Sequence, residues 1–493
     1  MLTWLFATCT LAQTLSLASD PAALAKAALG SEPGSASVAV WRDGRIDAAT
    51  VRNPAAQPVA APTVPPVEDL APLYEIGSIS KLFTGLLLAQ AVEQGDLQLS
   101  DTLGTVLRGQ VEFSSPDVAA ITLQQLVTHG SCLPRQFGNL RGGEAIAAQI
   151  TKATRAEMWA ALAAQKMAKA GPCAALYSNY GMSVLAEALS VRYGKPWSDL
   201  VRERITQPLA MADTQVVLGD KAPRFVAAYA GRATTGPWDM QAFVGAGGLR
   251  SSVQDLVRFG RALLQGRDGL LGAPAERFFT PLAAFDGGQI GYAVFIDGPP
   301  ERRTYSHDGL TGGYRALLRM HGDTGEVMAA LVSNRFAPLP QLAVDLSQSR
   351  YPVESEAVPV PASKLADYAG SFRVSPERIV HVAVDAEALV VRSPQNVFRA
   401  YVPVGPDRFT RPAGGARISF ARAADGQINT LTLEQGGRVF RAVRTDAPVI
   451  QQPVLGPGVA AMYVGKYLAP RFLRTPVEFN VRETSGQLMI RSP

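Results

Sequence analysis

One segment near the N-terminus constrains the fold of this chain more than any other, "YEIGSISKLFTGLLLAQAVEQGDL" at residues 74–97. From Ile79 to Val92 it has the length and the Leu/Ala content of a helix, and that helix is apolar on nearly every side, which predicts a place inside a domain. Ser78 and Lys81 stand three residues apart at its start and so share a face. Because a buried ammonium is costly unless it is paired or its pKa is lowered, this pair asks for a chemical reason.

Size and composition predict a folded protein of two or three domains. The chain has 493 residues, of which 47% are hydrophobic and 18% charged, enough to bury a large core. Its net charge is +5, but the basic residues are mostly arginines scattered singly, and no basic run is interleaved with aromatic residues. This distribution argues against a nucleic-acid partner.

The N-terminus, "MLTWLFATCTLAQTLSLA", carries no charged side chain and offers a small-x-small cleavage site at Ser16 and Ala18. We therefore expect residues 1–18 to be a secretory signal, and the protein to be periplasmic or secreted. No basic residue precedes Lys26, so the usual basic n-region is missing and an uncleaved anchor is the alternative. No other stretch has the length and apolarity of a membrane helix, which leaves at most peripheral membrane association.

Shifts in composition divide the rest of the chain. Helical patterns dominate residues 19–350, which we take as the first domain, and "YPVESEAVPVPAS" at 351–363 is a Pro-rich linker. Short alternating runs with Asp-Gly and Gly-Gly turns then predict a small β domain over 364–445. A weak repeat, "YAGSF" and later "YVGKY", predicts a partial second copy of the β pattern over 459–493.

The chemistry-bearing residues fall in three places. At the start of the apolar helix, an unprotonated Lys81 would take the proton of the Ser78 hydroxyl, as a lysine base does for a serine nucleophile. In "LYSNYG", Tyr177 and Asn179 lie two apart and point the same way from an extended loop. A third segment, "TYSHDGLTGGYRALLRM", reads as a strand and hairpin with His307 and Gly309 on one face. The Leu310 N–H would join the Ser78 N–H in an oxyanion hole.

The order of these motifs resembles that of the class C β-lactamase and DD-peptidase (penicillin-binding protein-like) family of serine hydrolases. Supporting stretches are similar too, namely "ITLQQLVTHGSCLP" at 121, "ITQPLAMADT" at 205 and "GAGGLRSSVQDLVRFGRALL" at 245. Together they cover roughly residues 30 to 345 in the family's order.

The resemblance implies an α+β fold of the β-lactamase/transpeptidase type, in which an antiparallel sheet flanked by helices adjoins an all-helical subdomain and the serine lies between them. The tail resembles the small C-terminal all-β, lipocalin-like domains of several relatives. The resemblance also assigns roles: Ser78 is acylated, Lys81 and Tyr177 share base and acid work, and Asn179 holds the lysine and the substrate amide. His307 and Gly309 line the binding strand, and no metal or organic cofactor is implied.

Two departures from the family pattern bear on the substrate. Where class C β-lactamases usually have Lys-Thr-Gly, this chain has His307-Asp308-Gly309. Histidine, with a reference pKa of about 6.5, is mostly neutral at pH 7 and is no permanent cation for the carboxylate of a β-lactam. Asp308 would repel a substrate carboxylate if it faced the cleft, but strand alternation turns it away from the face of His307.

The cysteines divide by position. Cys9 would leave with the signal, and Cys132 and Cys173 remain as an even pair in an exported chain, either bridged or as two separate buried thiols. Cys132 replaces the glycine of the family's T-S-G-L-P loop and Cys173 closely precedes Tyr177, so the resemblance favours a disulfide that pins two loops at the site.

The remaining candidates have structural readings. His129 lies in a loop that the family shares, and we expect structural hydrogen bonding there. His321 and His381 lie at predicted strand ends and are expected at the surface; with four histidines and no clustered carboxylates, no metal site is predicted.

Three functions remain open. The first is a D-amino-acid peptidase (DD-carboxypeptidase or D-aminopeptidase-like) whose substrate is a small peptide, including those of peptidoglycan. The second is a class C-type β-lactamase or an esterase with the same chemistry. The third is a catalytically idle protein that binds penicillin-like or cell-wall ligands, against which the intact motifs argue, because a binding protein has no need for Lys81 and Tyr177.

Overall fold

The computed structural model describes residues 19–53, 71–137, 150–167, 171–173, 176–285, 288–339, 342–343, 362–375, 378–385, 388–392, 398–410, 417–435, 438–448, 465–469, 477–484 and 487–491. The predicted signal at 1–18 lies outside the described residues, as does the predicted linker except for its last two residues. Within the described ranges, no helix combines the length and apolarity needed to cross a membrane.

An antiparallel sheet of eight strands forms the centre of the first domain. Its order is β2–β1–β12–β11–β10–β9–β8–β7, while β3 pairs with β6 and β4 with β5. The strands up to residue 332 are β1 Gly34–Arg42, β2 Arg45–Asn53, β3 Tyr74–Glu75, β4 Ala228–Ala230, β5 Ala233–Thr235, β6 Arg250–Ser251, β7 Ala283–Phe285, β8 Gly288–Ile290, β9 Phe295–Asp297, β10 Thr304–Leu310, β11 Arg315–His321 and β12 Val327–Val332.

Helices cover both faces of this sheet and build a separate helical layer beside it. They are α1 Pro21–Leu29, α2 Ser80–Glu93, α3 Leu103–Val106, α4 Pro116–Ala119, α5 Leu123–Val127, α6 Arg155–Ala164, α7 Asn179–Tyr193, α8 Trp197–Val201, α9 Val244–Gly247, α10 Val253–Leu264 and α11 Ala273–Phe278. The α+β fold expected from the motifs is thereby confirmed.

The strands in the middle of the sheet are apolar on both faces because each face carries a helix. Along β1, Val38 and Val40 belong to a core that they share with Leu24 of α1, whereas Ala39 between them belongs to the main core on the other face. Side chains alternate across a strand, so β1 can serve both cores at once. The second face packs against α10, whose Phe259 is fully buried.

Helix α2 lies in the interior, as its all-round apolarity predicts. Every residue from Ser80 to Ala91 is buried. Phe83 stacks on Phe259, with ring centroids 4.3 Å apart. Gly85 lets the helix pass close to a loop, because a Cβ at that position would lie 2.0 Å from the carbonyl oxygen of Tyr292. The helix is therefore fixed from several sides, and its N-terminal end is held in place.

The C-terminal region is a closed eight-stranded antiparallel barrel in sequential order, β13 to β20. This order is that of lipocalin-like barrels, in agreement with the expected β domain. Its interior is apolar, with Phe372, Phe409 and Leu431 buried. A short helix, α12 Ala362–Leu365, precedes it. The strands are β13 Gly370–Ser375, β14 Arg378–Asp385, β15 Ala388–Arg392, β16 Phe398–Gly405, β17 Arg408–Thr410, β18 Arg417–Arg422, β19 Ile428–Gln435 and β20 Arg438–Thr445.

Three further strands follow the barrel and pair with one another in a separate sheet, β21–β22–β23. They lie in the segment where the sequence suggests a partial repeat, and they are β21 Gly465–Ala469, β22 Val477–Thr484 and β23 Gln487–Arg491. The assignment of this segment as a second copy of the barrel pattern stays a prediction.

Candidate active site

Ser78 lies on a single 3-10 turn, Gly77–Ile79, that leads directly into α2. Gly77 has φ +50°, a backbone conformation that residues with a side chain rarely adopt. A Cβ on Gly77 would also lie 2.9 Å from the Leu310 nitrogen. Gly77 thus meets two requirements, the positive φ of the turn and the close approach of β10. The turn thereby brings Ser78 beside this strand.

Lys81 contacts the serine from one turn further along. Its Nζ lies 2.9 Å from Ser78 Oγ and donates a hydrogen bond to the carbonyl oxygen of Ala246 at 2.6 Å. The side chain has no exposed surface. Burial holds the pKa of Lys81 well below its ordinary value, the positive charge of Arg135 lowers it further, and only Asp308 opposes these effects. The lowered pKa favours the neutral amine, which is the form that can accept the serine proton.

Tyr177 is the second side chain, after Lys81, that contacts the hydroxyl of Ser78. Its hydroxyl is hydrogen-bonded to Ser78, and Lys81 Nζ lies 5.0 Å from its ring centroid. Burial raises the pKa of Tyr177 above its ordinary value. The environments thus move the pKa values of Lys81 and Tyr177 in opposite directions, which separates a proton acceptor from a proton donor at one site.

The position of Tyr177 follows from the cap of α7. Ser178 is the N-cap residue, and its Oγ accepts a hydrogen bond from Gly181 N at 2.8 Å while donating one to the carbonyl of Pro134 at 2.7 Å. The Ser178 N–H donates to His129 Nδ1 at 3.2 Å, and the His129 ring lies against Tyr177 with centroids 4.3 Å apart. His129 therefore has the structural hydrogen bond expected for it.

Asn179 is the first residue of α7 and borders the same pocket as Ser78. Its side-chain oxygen is buried and has no hydrogen-bond partner among the described residues. The expectation that Asn179 holds the lysine is wrong in this structure, because the lysine bonds to the carbonyl of Ala246 instead. A backbone carbonyl carries no signature in a sequence, so motif reasoning missed it. The free amide oxygen of Asn179 remains available for a substrate N–H.

His307 lies on β10 and faces the site. Its Nδ1 is 2.6 Å from the carbonyl oxygen of Asp308, which requires Nδ1 to be the donor, and its Nε2 has no partner among the described residues. Burial lowers the pKa of His307 to about 4, with a smaller contribution of the same sign from Lys81 and an opposing one from Asp308. His307 is therefore neutral at pH 7. Asp308 is exposed, as strand alternation predicts.

Gly309 and Leu310 form the part of β10 that passes the nucleophile. A Cβ on Gly309 would lie 2.1 Å from the carbonyl oxygen of Ile76, so only glycine allows this approach. The Thr311 N–H donates to Tyr314, towards the β11 side of the hairpin. Successive residues of a strand direct their N–H groups to opposite sides, so the Leu310 N–H points away from β11 and towards the turn that carries Ser78. An N–H directed at this turn is one of the two donors that an oxyanion hole needs, and the pairing with the Ser78 N–H stays a prediction.

The pocket beside the serine has apolar walls. It is small, about 30 Å³, and open to solvent, and besides Ser78 and Asn179 it is lined by Gly77, Ile150, Trp238, Met240, Phe243, Ala246, Gly247 and Leu310. Trp238 is held by a buried carboxylate, since its backbone N–H donates to Glu75 Oε1 at 2.6 Å. Sequence reasoning identified neither Trp238 nor Glu75.

A disulfide joins Cys132 to Cys173. Cys132 has φ +61°, at the position where the related loops have glycine. The Cys173 N–H also donates to the carbonyl of Gly130 at 2.9 Å. The bridge covalently links the loop after His129 to Cys173, which lies four residues before Tyr177. It therefore restrains two chain segments that lie next to the site.

The other two histidines lie apart from this cluster. His321 ends β11 but is only 2% exposed, and its Nδ1 lies 3.3 Å from Thr304 Oγ1, so the surface position expected for it is wrong. His381 is half-buried inside β14, with Nδ1 2.9 Å from Ser371 Oγ. Across the part of the chain that the structure describes, no group of His, Cys, Asp and Glu side chains is arranged to hold a metal.

Comparison with known proteins places this fold and site in a family. The family model described as Beta-lactamase matches residues 25–350, and the chain belongs to this family of serine hydrolases. D-alanyl-D-alanine-carboxypeptidase/endopeptidase AmpH of Escherichia coli (strain K12) is 32% identical over 188 residues, which are 38% of this chain and 48% of AmpH. The chain thus spans about half the length of that relative.

Two other proteins are matched over a larger share of their own length. Penicillin-binding protein 4 of Amycolatopsis lactamdurans is 26% identical over 291 residues, 53% of this chain and 72% of that protein. The crystal structure of the beta-lactamase/D-alanine carboxypeptidase from Yersinia pestis complexed with citrate superposes with a TM-score of 0.52 at 21% identity, covering 65% of this chain and 92% of the other. The structural likeness shows a shared fold.

Proposed function

We propose that this chain hydrolyses D-amino-acid peptides through an acyl-enzyme on Ser78, as a DD-carboxypeptidase or a D-aminopeptidase-like enzyme. The observation that carries the proposal is the contact of Lys81 Nζ with Ser78 Oγ, 2.9 Å long, in which the lysine is fully buried and the serine is half-buried. A neutral lysine in that position accepts the serine proton, which a protonated surface lysine cannot do. The name of AmpH, a D-alanyl-D-alanine-carboxypeptidase/endopeptidase, supports a peptide substrate.

Acylation uses the groups that meet at the serine. Lys81 takes the Ser78 proton as Oγ attacks the carbonyl carbon, and the Ser78 and Leu310 N–H groups stabilise the oxyanion. Tyr177 gives its proton to the leaving amine as the C–N bond breaks. Lys81 and Tyr177 both contact Ser78 Oγ, so the proton on Lys81 returns to Tyr177 and both groups regain their starting states.

Deacylation reverses the roles of the same groups. A water molecule enters where the amine stood, gives its proton to Lys81 and attacks the acyl carbon. Ser78 Oγ then leaves with the proton that Lys81 received. The free amide oxygen of Asn179 accepts the N–H of the acyl half throughout, which keeps the carbonyl aligned with the two oxyanion donors.

The third motif lacks the lysine that class C β-lactamases usually have. With the pKa of His307 near 4, the binding strand offers no cation to a substrate carboxylate at neutral pH. Because of this departure from the class C pattern, β-lactamase activity is the second candidate, and ester hydrolysis shares its chemistry.

The test is intact-protein mass spectrometry with a penicillin, a p-nitrophenyl ester and an acylated D-Ala-D-Ala peptide, each followed over time. Ser78→Ala is compared with Ser80→Ala, because Ser80 lies two residues away but is buried, its Oγ accepting a hydrogen bond from Leu249 N at 3.1 Å. We expect release of D-alanine and a slowly hydrolysed penicillin adduct, both lost in Ser78→Ala and both kept in Ser80→Ala.

Other results have definite meanings. Rapid penicillin turnover would replace the peptidase by a β-lactamase, and ester turnover alone would indicate an esterase. No adduct from any of the three donors would contradict the acyl-enzyme and leave the idle binding protein.

A further inference from the structure

The rim of the site carries two exposed charges of opposite sign. Arg135 lies on the Tyr177 side, with its Cζ 4.9 Å from the Tyr177 ring centroid, and Asp308 lies on the His307 side. No ion pair joins either of them to another described residue. Charged side chains beside a pocket that have no partner of their own are candidates for binding the charges of a substrate.

The proposed reaction tells which part of the substrate Arg135 would meet. Tyr177 protonates the leaving amine, so the leaving group lies on the Tyr177 side of the serine, and the acyl half lies over the apolar pocket. In a peptide with a free C-terminus, the carboxylate of the leaving residue is only two bonds from that amine nitrogen. A cation over the Tyr177 ring is therefore within reach of this carboxylate.

The other cations near the serine are unsuited to this role. Lys81 is buried, which holds its pKa well below the ordinary value, and His307 is neutral at pH 7, its pKa near 4. Arg315 is half-buried, and its Nε donates to the carbonyl of Arg335. Arg135 is the remaining described cation at the rim, and its planar guanidinium binds a carboxylate through two parallel hydrogen bonds.

Arg135 is also carried on a fixed piece of backbone. Its carbonyl oxygen accepts hydrogen bonds from Asn179 N at 2.9 Å and from Tyr180 N at 3.2 Å, at the start of α7. The preceding residue, Pro134, accepts from Ser178 Oγ, and the disulfide at Cys132 lies three residues back. A binding group on such a loop loses little entropy when the substrate arrives.

We infer that Arg135 binds the C-terminal carboxylate of the leaving residue, which makes the preferred substrate a peptide with a free C-terminus. This inference rests on the proposed function for the direction of the substrate. It also explains how the site can bind a carboxylate although the third motif has His307 instead of a lysine. The cation would come from Arg135, on a loop on the opposite side of the cleft.

The experiment measures binding separately from cleavage. Acetyl-D-Ala-D-Ala and its C-terminal amide differ only in the terminal charge, and each is used as a competitive inhibitor of p-nitrophenyl ester hydrolysis by the full chain. The variants are Arg135→Gln, Arg135→Lys and Asp308→Asn. Because Arg135 also lowers the pKa of Lys81, Arg135→Gln changes ester turnover, but that effect is common to both inhibitors and cancels in the ratio of their inhibition constants.

We expect the wild-type enzyme to bind the acid about tenfold or more tightly than the amide, as a charge-assisted bidentate contact provides. Arg135→Gln should bring the ratio close to one and Arg135→Lys should keep part of it, whereas Asp308→Asn, at an exposed residue turned away from the face of His307, should leave it largely unchanged. A ratio near one in the wild type, or one that Arg135→Gln leaves unchanged, overturns the inference. Whether the peptides are also cleaved is scored separately and decides the proposed function alone.

Discussion

The start of α2 and the interior of the C-terminal barrel are equally buried but differ in the residues that fill them. Around Ser78 the structure buries an amine, Lys81, a carboxylic acid, Glu75, and the imidazole of His307. The barrel interior is filled by aliphatic and aromatic side chains, such as Phe409 packed edge-on against Phe420 with centroids 5.7 Å apart.

The two regions also differ in their buried polar atoms that lack a hydrogen-bond partner. Among the described residues, buried side-chain polar atoms without a hydrogen-bond partner, such as His307 Nε2 and Asn179 Oδ1, occur in the first domain, and none belongs to the barrel. Such atoms cost stability, so a fold retains them where they serve chemistry or substrate binding. The difference suggests that the first domain sacrifices stability for its site, whereas the barrel is optimised for packing, and the predictions below test this comparison.

The largest effect is expected from Lys81→Met, which replaces the buried amine by an apolar side chain of similar length. Activity should fall by about 10²- to 10⁴-fold with loss of the general base. Thermal stability should rise by a few degrees, because the unfolded chain no longer has to give up a lysine proton on folding.

The control is Lys195→Met, which removes an exposed lysine that is paired with Glu203 at 2.6 Å and should change neither quantity much. Calorimetry and ester kinetics measure both effects. A lower melting temperature for Lys81→Met would contradict the claim that the buried amine of Lys81 lowers the stability of the first domain.

The opposite pattern is expected in the barrel from Phe409→Ala. Phe409 has no exposed surface, so its truncation should lower the free energy of unfolding of the barrel by about 3 to 5 kcal/mol. Ester kinetics below the unfolding transition should stay within about twofold. Val443→Ala, at a position 62% exposed, is the matched change that should cost little. A loss of turnover as large as the loss of stability would show that the barrel interior is not purely structural.

Sequence reasoning was most successful where side chains carry the information. The all-round apolarity of α2 predicts its central position. Ser78, Lys81, Tyr177 and His307 converge where the start of α2 and the segment before α7 meet β10.

It failed where backbone or long-range geometry decides. The Ala246 carbonyl that accepts from Lys81 comes from a helix 165 residues away. His321 is buried at the end of β11, opposite Thr304 of the neighbouring strand, a position that the sequence pattern of β11 alone does not reveal. Whether the groups perform the roles proposed for them is a matter for the experiments above.

A smaller effect is expected from the buried acid. Glu75 is 3% exposed, and burial raises its pKa to about 7, although the Trp238 N–H and Arg250 oppose this. The folded state therefore keeps the proton up to about pH 7, whereas the unfolded chain loses it near pH 4.5. Stability should fall as pH rises between these values, by on the order of 3 kcal/mol in total, and Glu75→Gln should remove this slope.

Urea denaturation at pH 4.5, 6 and 7.5 measures the slope. Asp407 in the barrel is the control, because its hydrogen bond to Arg422 holds its pKa below the ordinary value of 3.8. The stability that it contributes is lost only below that pH, so Asp407→Asn should leave the slope of the wild type intact. Equal slopes for the wild type and Glu75→Gln would mean that the acid is ionised on folding, and that the first domain tolerates a buried charge.

The smallest effect is expected at His307, where the result is an absence of change. Burial lowers its pKa to about 4, so kcat/KM should show no inflection from this residue near pH 6.5, and a histidine titration followed by NMR should find its ring neutral from about pH 5.5 upward. An inflection near pH 6.5 that disappears in His307→Gln would show that the imidazole is charged in the working range. The third motif would then supply a cation after all, and the carboxylate that we assign to Arg135 would have a competing partner on β10.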